Sequence, residues 1–95
     1  YGITKAADIQ MTKNLAREYG PHNVRINSIA PGLVKTDFAR GLWKNPENLK
    51  ASTSGAALGR IGEPREIAGA AVYLASNASS FMTGQTIVID GGVVV

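Results

Sequence analysis

The sequence predicts an α/β fold, the C-terminal part of a doubly wound parallel sheet, and a few features carry that expectation. Two strands rich in β-branched residues flank a helix, so they should pair in parallel through a right-handed crossover. The first of them lacks the clean alternation of a half-solvated strand, as expected where helices cover both faces. Two strands alone make no stable parallel sheet, so the unit reads as the end of a larger one. The expected order is helix, strand, helical insertion, helix, strand.

Residues 1–19 read as an amphipathic helix, with Ile3, Ala7, Met11 and Leu15 recurring every four positions, joined by Ala6 and Ala16. Gly20 and Pro21 stop it: glycine accepts the left-handed cap conformation, and proline cannot continue the helix. Residues 24–30 (VRINSIA) read as a strand closed by Pro31-Gly32. Residues 33–62 form an irregular insertion with short helices near 37–43 and 46–57. Leu33, Val34, Phe38, Leu42 and Trp43 make it too apolar for a solvated tether. A second helix runs over 63–77, with Pro64 at its first position and Ile67, Ala68, Ala71, Val72, Leu74 and Ala75 as its apolar face. Residues 85–90 (QTIVID) form the last strand, and Asp90-Gly91-Gly92 makes a turn.

The composition, 95 residues of which 44% are hydrophobic and 18% charged, suits part of a single globular domain. The chain opens inside a helical pattern at Tyr1, so it is expected to be part of a longer protein. The net charge of +3 comes from basic residues scattered singly, which argues against a nucleic-acid partner. No apolar run approaches the roughly 20 residues that span a bilayer, so no membrane partner is expected. The chain has no cysteine, which excludes disulfides, thiolate nucleophiles and zinc–thiolate sites within it and agrees with a cytoplasmic setting. No metal ligands stand at useful spacing, and none is expected to bind.

Tyr1 and Lys5 carry the candidate chemistry. Four residues apart on a helix, they share one face. A free phenol titrates near ~10, and bringing it to ~7 takes roughly 4 kcal/mol of preferential phenolate stabilisation. An adjacent ammonium, a helix N-terminus and a cationic ring could supply this together. Such a group would serve as a general acid or base near neutrality. Spacing alone does not separate this pair from a surface tyrosine beside a solvated lysine.

The ordered set of segments does more. Tyr1-Gly-Ile-Thr-Lys5-Ala6-Ala7 is followed by Arg25-Ile-Asn27-Ser-Ile-Ala-Pro31-Gly32-Leu-Val34-Lys-Thr36. Then come Gly59-Arg60-Ile-Gly62-Glu63-Pro64, Glu66-Ile67-Ala68, Leu74-Ala75-Ser76, and Thr83-Gly84-Gln85 through Asp90-Gly91-Gly92. In that order, over nearly the whole chain, these resemble the C-terminal part of the short-chain dehydrogenase/reductase family. With Phe38, Arg40, Leu42 and Trp43, the segment after Pro31 also resembles its carbonyl-reductase branch.

The resemblance implies a Rossmann-type sheet and an NAD- or NADP-dependent oxidoreductase interconverting a small-molecule carbonyl and alcohol, assembled as a homodimer or homotetramer. It implies Tyr1 as the proton donor or acceptor, and Lys5 as a ligand of the nicotinamide ribose that lowers the pKa of Tyr1. It further implies Pro31 and Gly32 beside the nicotinamide, with the Val34 backbone and Thr36 hydroxyl holding the carboxamide. The family's glycine-rich phosphate loop and its catalytic serine would lie upstream.

Phe38, Leu42 and Trp43 could line a substrate pocket under a lid, or simply pack the insertion. Asn27 is expected to make structural hydrogen bonds, His22 to be exposed, and Arg60 to pair with Glu63 across a turn. Besides the enzyme, two alternatives stay open: a family member that binds cofactor without chemistry, and an assembly role for the piece alone.

Overall fold

The computed structural model describes residues 2–93. Its elements are α1 (Gly2–Tyr19), a 3-10 turn (Gly20–His22), β1 (Ser28–Pro31), α2 (Arg40–Trp43), α3 (Pro46–Thr53), α4 (Pro64–Ala75), a second 3-10 turn (Asn77–Ser79) and β2 (Thr86–Ile89). The expected order holds. β1 and β2 are neighbours in a two-stranded sheet. Ser28 N–H donates to Gln85 C=O at 2.9 Å and Gly32 N–H to Ile89 C=O at 2.8 Å. The register climbs along both strands in the same sense, as a parallel pair requires.

β1 begins later than the β-branched run suggested. Residues 24–27 commit their hydrogen bonds elsewhere: Ile26 N–H donates to Thr83 Oγ1 at 3.0 Å, and Asn27 Oδ1 accepts from Gln85 N–H at 3.0 Å. Side chains there share the pairing with one backbone bond, Gly84 N–H to Ile26 C=O at 2.7 Å.

The chain divides into two compact units, Tyr1–Ile29 with Ala70–Ile87, and Ala30–Gly69 with Val88–Val95. In the first, α1 turns a different face inward from the one its four-residue apolar repeat suggested. Thr12 and Ala16 are buried and Lys5, Ile9 and Leu15 half-buried, whereas Ile3 is 88% exposed and Met11 54%. A strict four-residue step drifts around a helix by about 40° per repeat, whereas positions 5, 9, 12 and 16 stay within an arc of about 60°. At Ala16 the inward face is small where Gly84 comes close: a Cβ on Gly84 would stand 3.3 Å from Ala16 Cβ. After α1 the left-handed residue is Asn23 (φ 60°), not Gly20, which joins the 3-10 turn. Along the α4 residues of this unit, Ala70 and Leu74 are half-buried while Ala71, Val72 and Ala75 are exposed. The apolar face drawn from the sequence is therefore only partly covered.

In the second unit, β1 runs out into an extended loop. Val34 forms a parallel bridge with Gly62, held by Gly62 N–H to Leu33 C=O and Lys35 N–H to Gly62 C=O, both at 2.9 Å. The Asp90-Gly91-Gly92 turn forms as expected. Gly91 and Gly92 take φ of 70° and 81°, and Asp90 Oδ1 accepts from Gly92 N–H at 2.9 Å and Val93 N–H at 3.2 Å. The carbonyls of this turn bind the insertion: Ala57 N–H donates to Gly92 C=O and Leu58 N–H to Gly91 C=O, both at 2.9 Å. Asn45 caps α3 through Glu47 N–H at 2.8 Å, with Pro46 at the first helical position.

Candidate functional site

The candidate residues fall on two elements. Tyr1 lies outside the described residues. Lys5 sits in the first turns of α1, half-buried on the face that also carries Ile9, Thr12 and Ala16. On that face the aliphatic stem of Lys5 packs against the protein.

The second element is the loop that leaves β1. Pro31 is the last residue of β1. Gly32 has room for no side chain, since a Cβ would meet Asp90 Cα at 2.7 Å and Asp90 Cβ at 2.9 Å. Its close approach therefore serves the end of β2, a role the sequence did not reveal. Two residues on, the Val34–Gly62 bridge uses the backbone groups of Leu33 and Lys35 that flank Val34. Among the described residues none accepts the Val34 N–H. Thr36 N–H turns back to Val34 C=O at 2.9 Å, and Thr36 Oγ1 accepts from Ala39 N–H at 3.3 Å. That hydroxyl keeps its own proton to donate and a second lone pair. The loop thus offers one amide donor and one hydroxyl, two residues apart, beyond the C-terminal end of a parallel strand, where open α/β sheets take their ligands.

The three residues suggested for a substrate pocket behave differently from one another. Phe38 is fully exposed and Leu42 exposed by half. Trp43 is half-buried, and its Nε1–H donates to Thr36 C=O at 2.8 Å. Lys35 Nζ lies over the Trp43 ring, 5.1 Å from its centroid, and Arg40 Cζ lies at 6.0 Å. None of the three lines the cavity of about 110 Å³ in this unit, whose walls include Leu33, Val34, Ala56, Arg60, Glu66 and Asp90.

Arg60 pairs with Glu66 rather than with Glu63. The guanidinium donates to both carboxylate oxygens at 2.9 Å, and Glu66 Oε1 also accepts from Glu63 N–H at 3.0 Å. A glutamate three residues after the residue preceding a helix is the signature of this reach-back, and it was present in the sequence. The Arg60 side chain and the Glu63 amide hold the Glu66 carboxyl down to about 2, and Glu66 in turn raises Arg60 above its ordinary value.

Arg25 stood out in the sequence only as part of a motif, yet its side chain makes five hydrogen bonds. Its guanidinium donates to the carbonyls of Leu74 (2.9 Å), Ser76 (3.3 Å), Ser79 (2.7 Å) and Met82 (3.2 Å), and to Ser79 Oγ at 2.9 Å. These bonds close the C-terminal end of α4, so the group is structural. Asn27, whose amide also donates to Met82 C=O at 3.0 Å, is structural as expected. His22 is exposed. Among the described residues no group of three or more His, Cys, Asp or Glu could hold a metal ion, and no helix is long and apolar enough to cross a membrane.

Comparison with known proteins covers almost all of this geometry. Residues 1–94 match the family model described as enoyl-(acyl carrier protein) reductase. The chain is 41% identical over 92 residues to the human dehydrogenase/reductase SDR family member 4, covering 97% of the chain and 33% of that relative. It is 49% identical over 94 residues to the 3-oxoacyl-(acyl-carrier-protein) reductase FabG of Chlamydia muridarum, covering 97% of the chain and 36% of that relative. The chain thus spans about a third of the length of the curated relatives it matches. Among solved structures, a 4-hydroxyisoleucine dehydrogenase complexed with NADH superposes with a TM-score of 0.88 at 37% identity, over 95% of this chain and 37% of that one.

Proposed function

The chain belongs to the short-chain dehydrogenase/reductase family, and on that premise we propose that it is the C-terminal part of a cytoplasmic NAD(P)-dependent oxidoreductase interconverting a carbonyl and an alcohol. Tyr1 is the general acid and base, and Lys5 supports it.

The observation that carries this reading is the family match over residues 1–94, which takes in Tyr1, Lys5 and the loop from Pro31 to Thr36 in one frame. The loop chemistry agrees with it. An uncommitted amide donor at Val34 and a hydroxyl at Thr36 suit a primary carboxamide, which offers one acceptor oxygen and one donor NH2. The residues therefore fit a nicotinamide. When bound, the nicotinamide supplies or takes up the hydride. In the reducing direction the Tyr1 hydroxyl gives its proton to the carbonyl oxygen as charge develops there; in oxidation it removes that proton from the alcohol. The Lys5 ammonium favours the phenolate that each cycle leaves behind. Val34 and Thr36 fix the carboxamide and hence the ring face turned to the substrate. The relatives named above include a reductase of acyl-carrier-protein-bound 3-oxoacyl groups, which fits a carbonyl substrate. The exposed Ile3 and Met11 on α1 support burial of that face in a homodimer or homotetramer.

The test is Tyr1→Phe in the full-length protein. Turnover of a carbonyl substrate should fall by on the order of 10²- to 10⁴-fold while NAD(P)H binding is kept. Undiminished turnover would overturn the assignment.

A further inference from the structure

The proposed carboxamide loop is braced by a residue outside it. Trp43 closes α2, seven residues beyond Thr36, and its indole N–H reaches back to Thr36 C=O at 2.8 Å. The same carbonyl accepts Ala39 N–H at 3.1 Å, and Ala39 N–H is shared with Thr36 Oγ1 at 3.3 Å. Two donors thus make three bonds to one residue: the indole and one amide on its carbonyl, the same amide on its hydroxyl. The indole ring is placed in turn by cations on either side of Thr36 in the sequence, Lys35 at 5.1 Å from the ring centroid and Arg40 at 6.0 Å. Arg40 is itself held by Asp37 at 3.6 Å. A tryptophan on a four-residue helix would otherwise be poorly placed, since so short a helix has little stability of its own.

We infer that Trp43 is a positioning residue for the nicotinamide end of the cofactor: its N–H locks the turn in which the Thr36 hydroxyl and the Val34 amide are presented together. This inference rests on the proposed oxidoreductase reading of the same loop. It assigns Trp43 an indirect part in cofactor geometry instead of a place on the wall of a substrate pocket, and Lys35 a part in holding the ring.

Trp43→Phe in the full-length protein keeps an aromatic face for Lys35, though a smaller one, and removes the donor. A single neutral hydrogen bond of this kind corresponds to roughly a two- to tenfold change in an equilibrium constant. The dissociation constant for NADH or NADPH should rise by that factor. The constants for ADP-ribose and its 2′-phosphate, which lack the nicotinamide, should stay unchanged. The Michaelis constant for the cofactor should rise with its dissociation constant, and that for the carbonyl substrate should not. If the full and truncated ligands weaken alike, or neither weakens, the lock does not exist. Should Trp43→Phe fail to fold, hydrogen exchange in the wild-type protein decides: NAD(P)H must slow exchange across residues 34–43 beyond what ADP-ribose does, and equal protection by the two overturns the inference. Tyr1→Phe, run in parallel, separates the two claims. If that variant keeps full turnover, the oxidoreductase reading fails; if it is inactive while Trp43→Phe binds both ligands normally, only the lock fails.

Discussion

Gly32 and Asp90 meet where the two parallel strands end, so closely that a Cβ on Gly32 would stand 2.7 Å from the Asp90 Cα. The obstacle is backbone, and it cannot swing aside. Asp90 Oδ1 is bonded to Gly92 N–H and Val93 N–H, and the carbonyls of Gly91 and Gly92 hold Leu58 and Ala57. The strand end, the final turn and the insertion are thus fixed around a position where only hydrogen fits.

Gly32→Ala should therefore destabilise the protein by about 1–3 kcal/mol through overpacking alone, since Gly32 is not among the residues with positive φ. The loop bearing Val34 and Thr36 starts at this residue, so cofactor affinity should fall along with stability. Urea denaturation of the full-length variant checks the first, and NAD(P)H titration the second. A stability change within about 0.5 kcal/mol of wild type would mean that the strand ends can part without cost.

The pairing of Arg60 with Glu66 sets a dependence on acid. Glu66 has its folded value lowered from 4.5 to about 2, mainly by the hydrogen bond from Arg60 and then by the Glu63 amide. A lowered carboxyl contributes stability that is complete above its unfolded value and lost as pH falls through its folded value. The contribution should therefore fade between about 4.5 and about 2. Glu66→Gln should be less stable than wild type at neutral pH, and the gap should close across that window. Denaturant midpoints measured from pH 7 to pH 2 for both proteins test this. A gap that does not change with pH would show that the pair adds nothing to the fold.

How far these features could be seen in the sequence follows from their range. The strands, helices and final turn were legible because β-branched runs, Pro64 and Asp90-Gly91-Gly92 act on their immediate neighbours. Lys5 and Thr36 were legible as candidates because a family pattern places them. The inward face of α1 was not. Ile3 and Met11 advertise an apolar stripe, but coverage followed Thr12 and Ala16, and Ala16 lets Gly84 approach. That choice is made by packing distance, which hydrophobicity does not encode. The Trp43 bond to Thr36 was hidden for a related reason: an aromatic in an apolar insertion reads as pocket or core, and its single N–H has no signature at a spacing of seven. Glu66 was legible in principle, through its place in the first turn of α4, but Glu63 stood nearer to Arg60 in the sequence and was preferred.

Lys5 gives a prediction that separates electrostatics from packing. Lys5→Met keeps the aliphatic stem on the half-buried face of α1 and removes the ammonium. If the charge supports Tyr1, turnover should fall by at least about tenfold. The basic limb of the pH–rate profile should also shift, because the phenol then ionises with less help. Stability should change by less than about 1 kcal/mol. A variant with unaltered turnover and profile would reduce Lys5 to a packing residue.

Arg25 supplies the strongest stability prediction, and it also decides what this arginine is for. A half-buried guanidinium beside serines could be mistaken for an anion site, but its donors go to the carbonyls of Leu74, Ser76, Ser79 and Met82 and to Ser79 Oγ. It therefore takes the place of the missing partners at the end of α4, where the last carbonyls of a helix have none of their own. Arg25→Met strands those carbonyls and should cost about 2–4 kcal/mol, the scale of several charge-assisted bonds lost at a partly buried site. Arg25→Lys restores the charge but not the planar fork, so it should recover less than half of the loss. Denaturant midpoints should rank wild type above Lys above Met. Amide exchange at the C-terminal end of α4 should accelerate in the same sequence, while added phosphate should stabilise none of the three. A lysine variant as stable as wild type, or a wild type stabilised by phosphate, would mean that charge rather than the fork is what α4 requires.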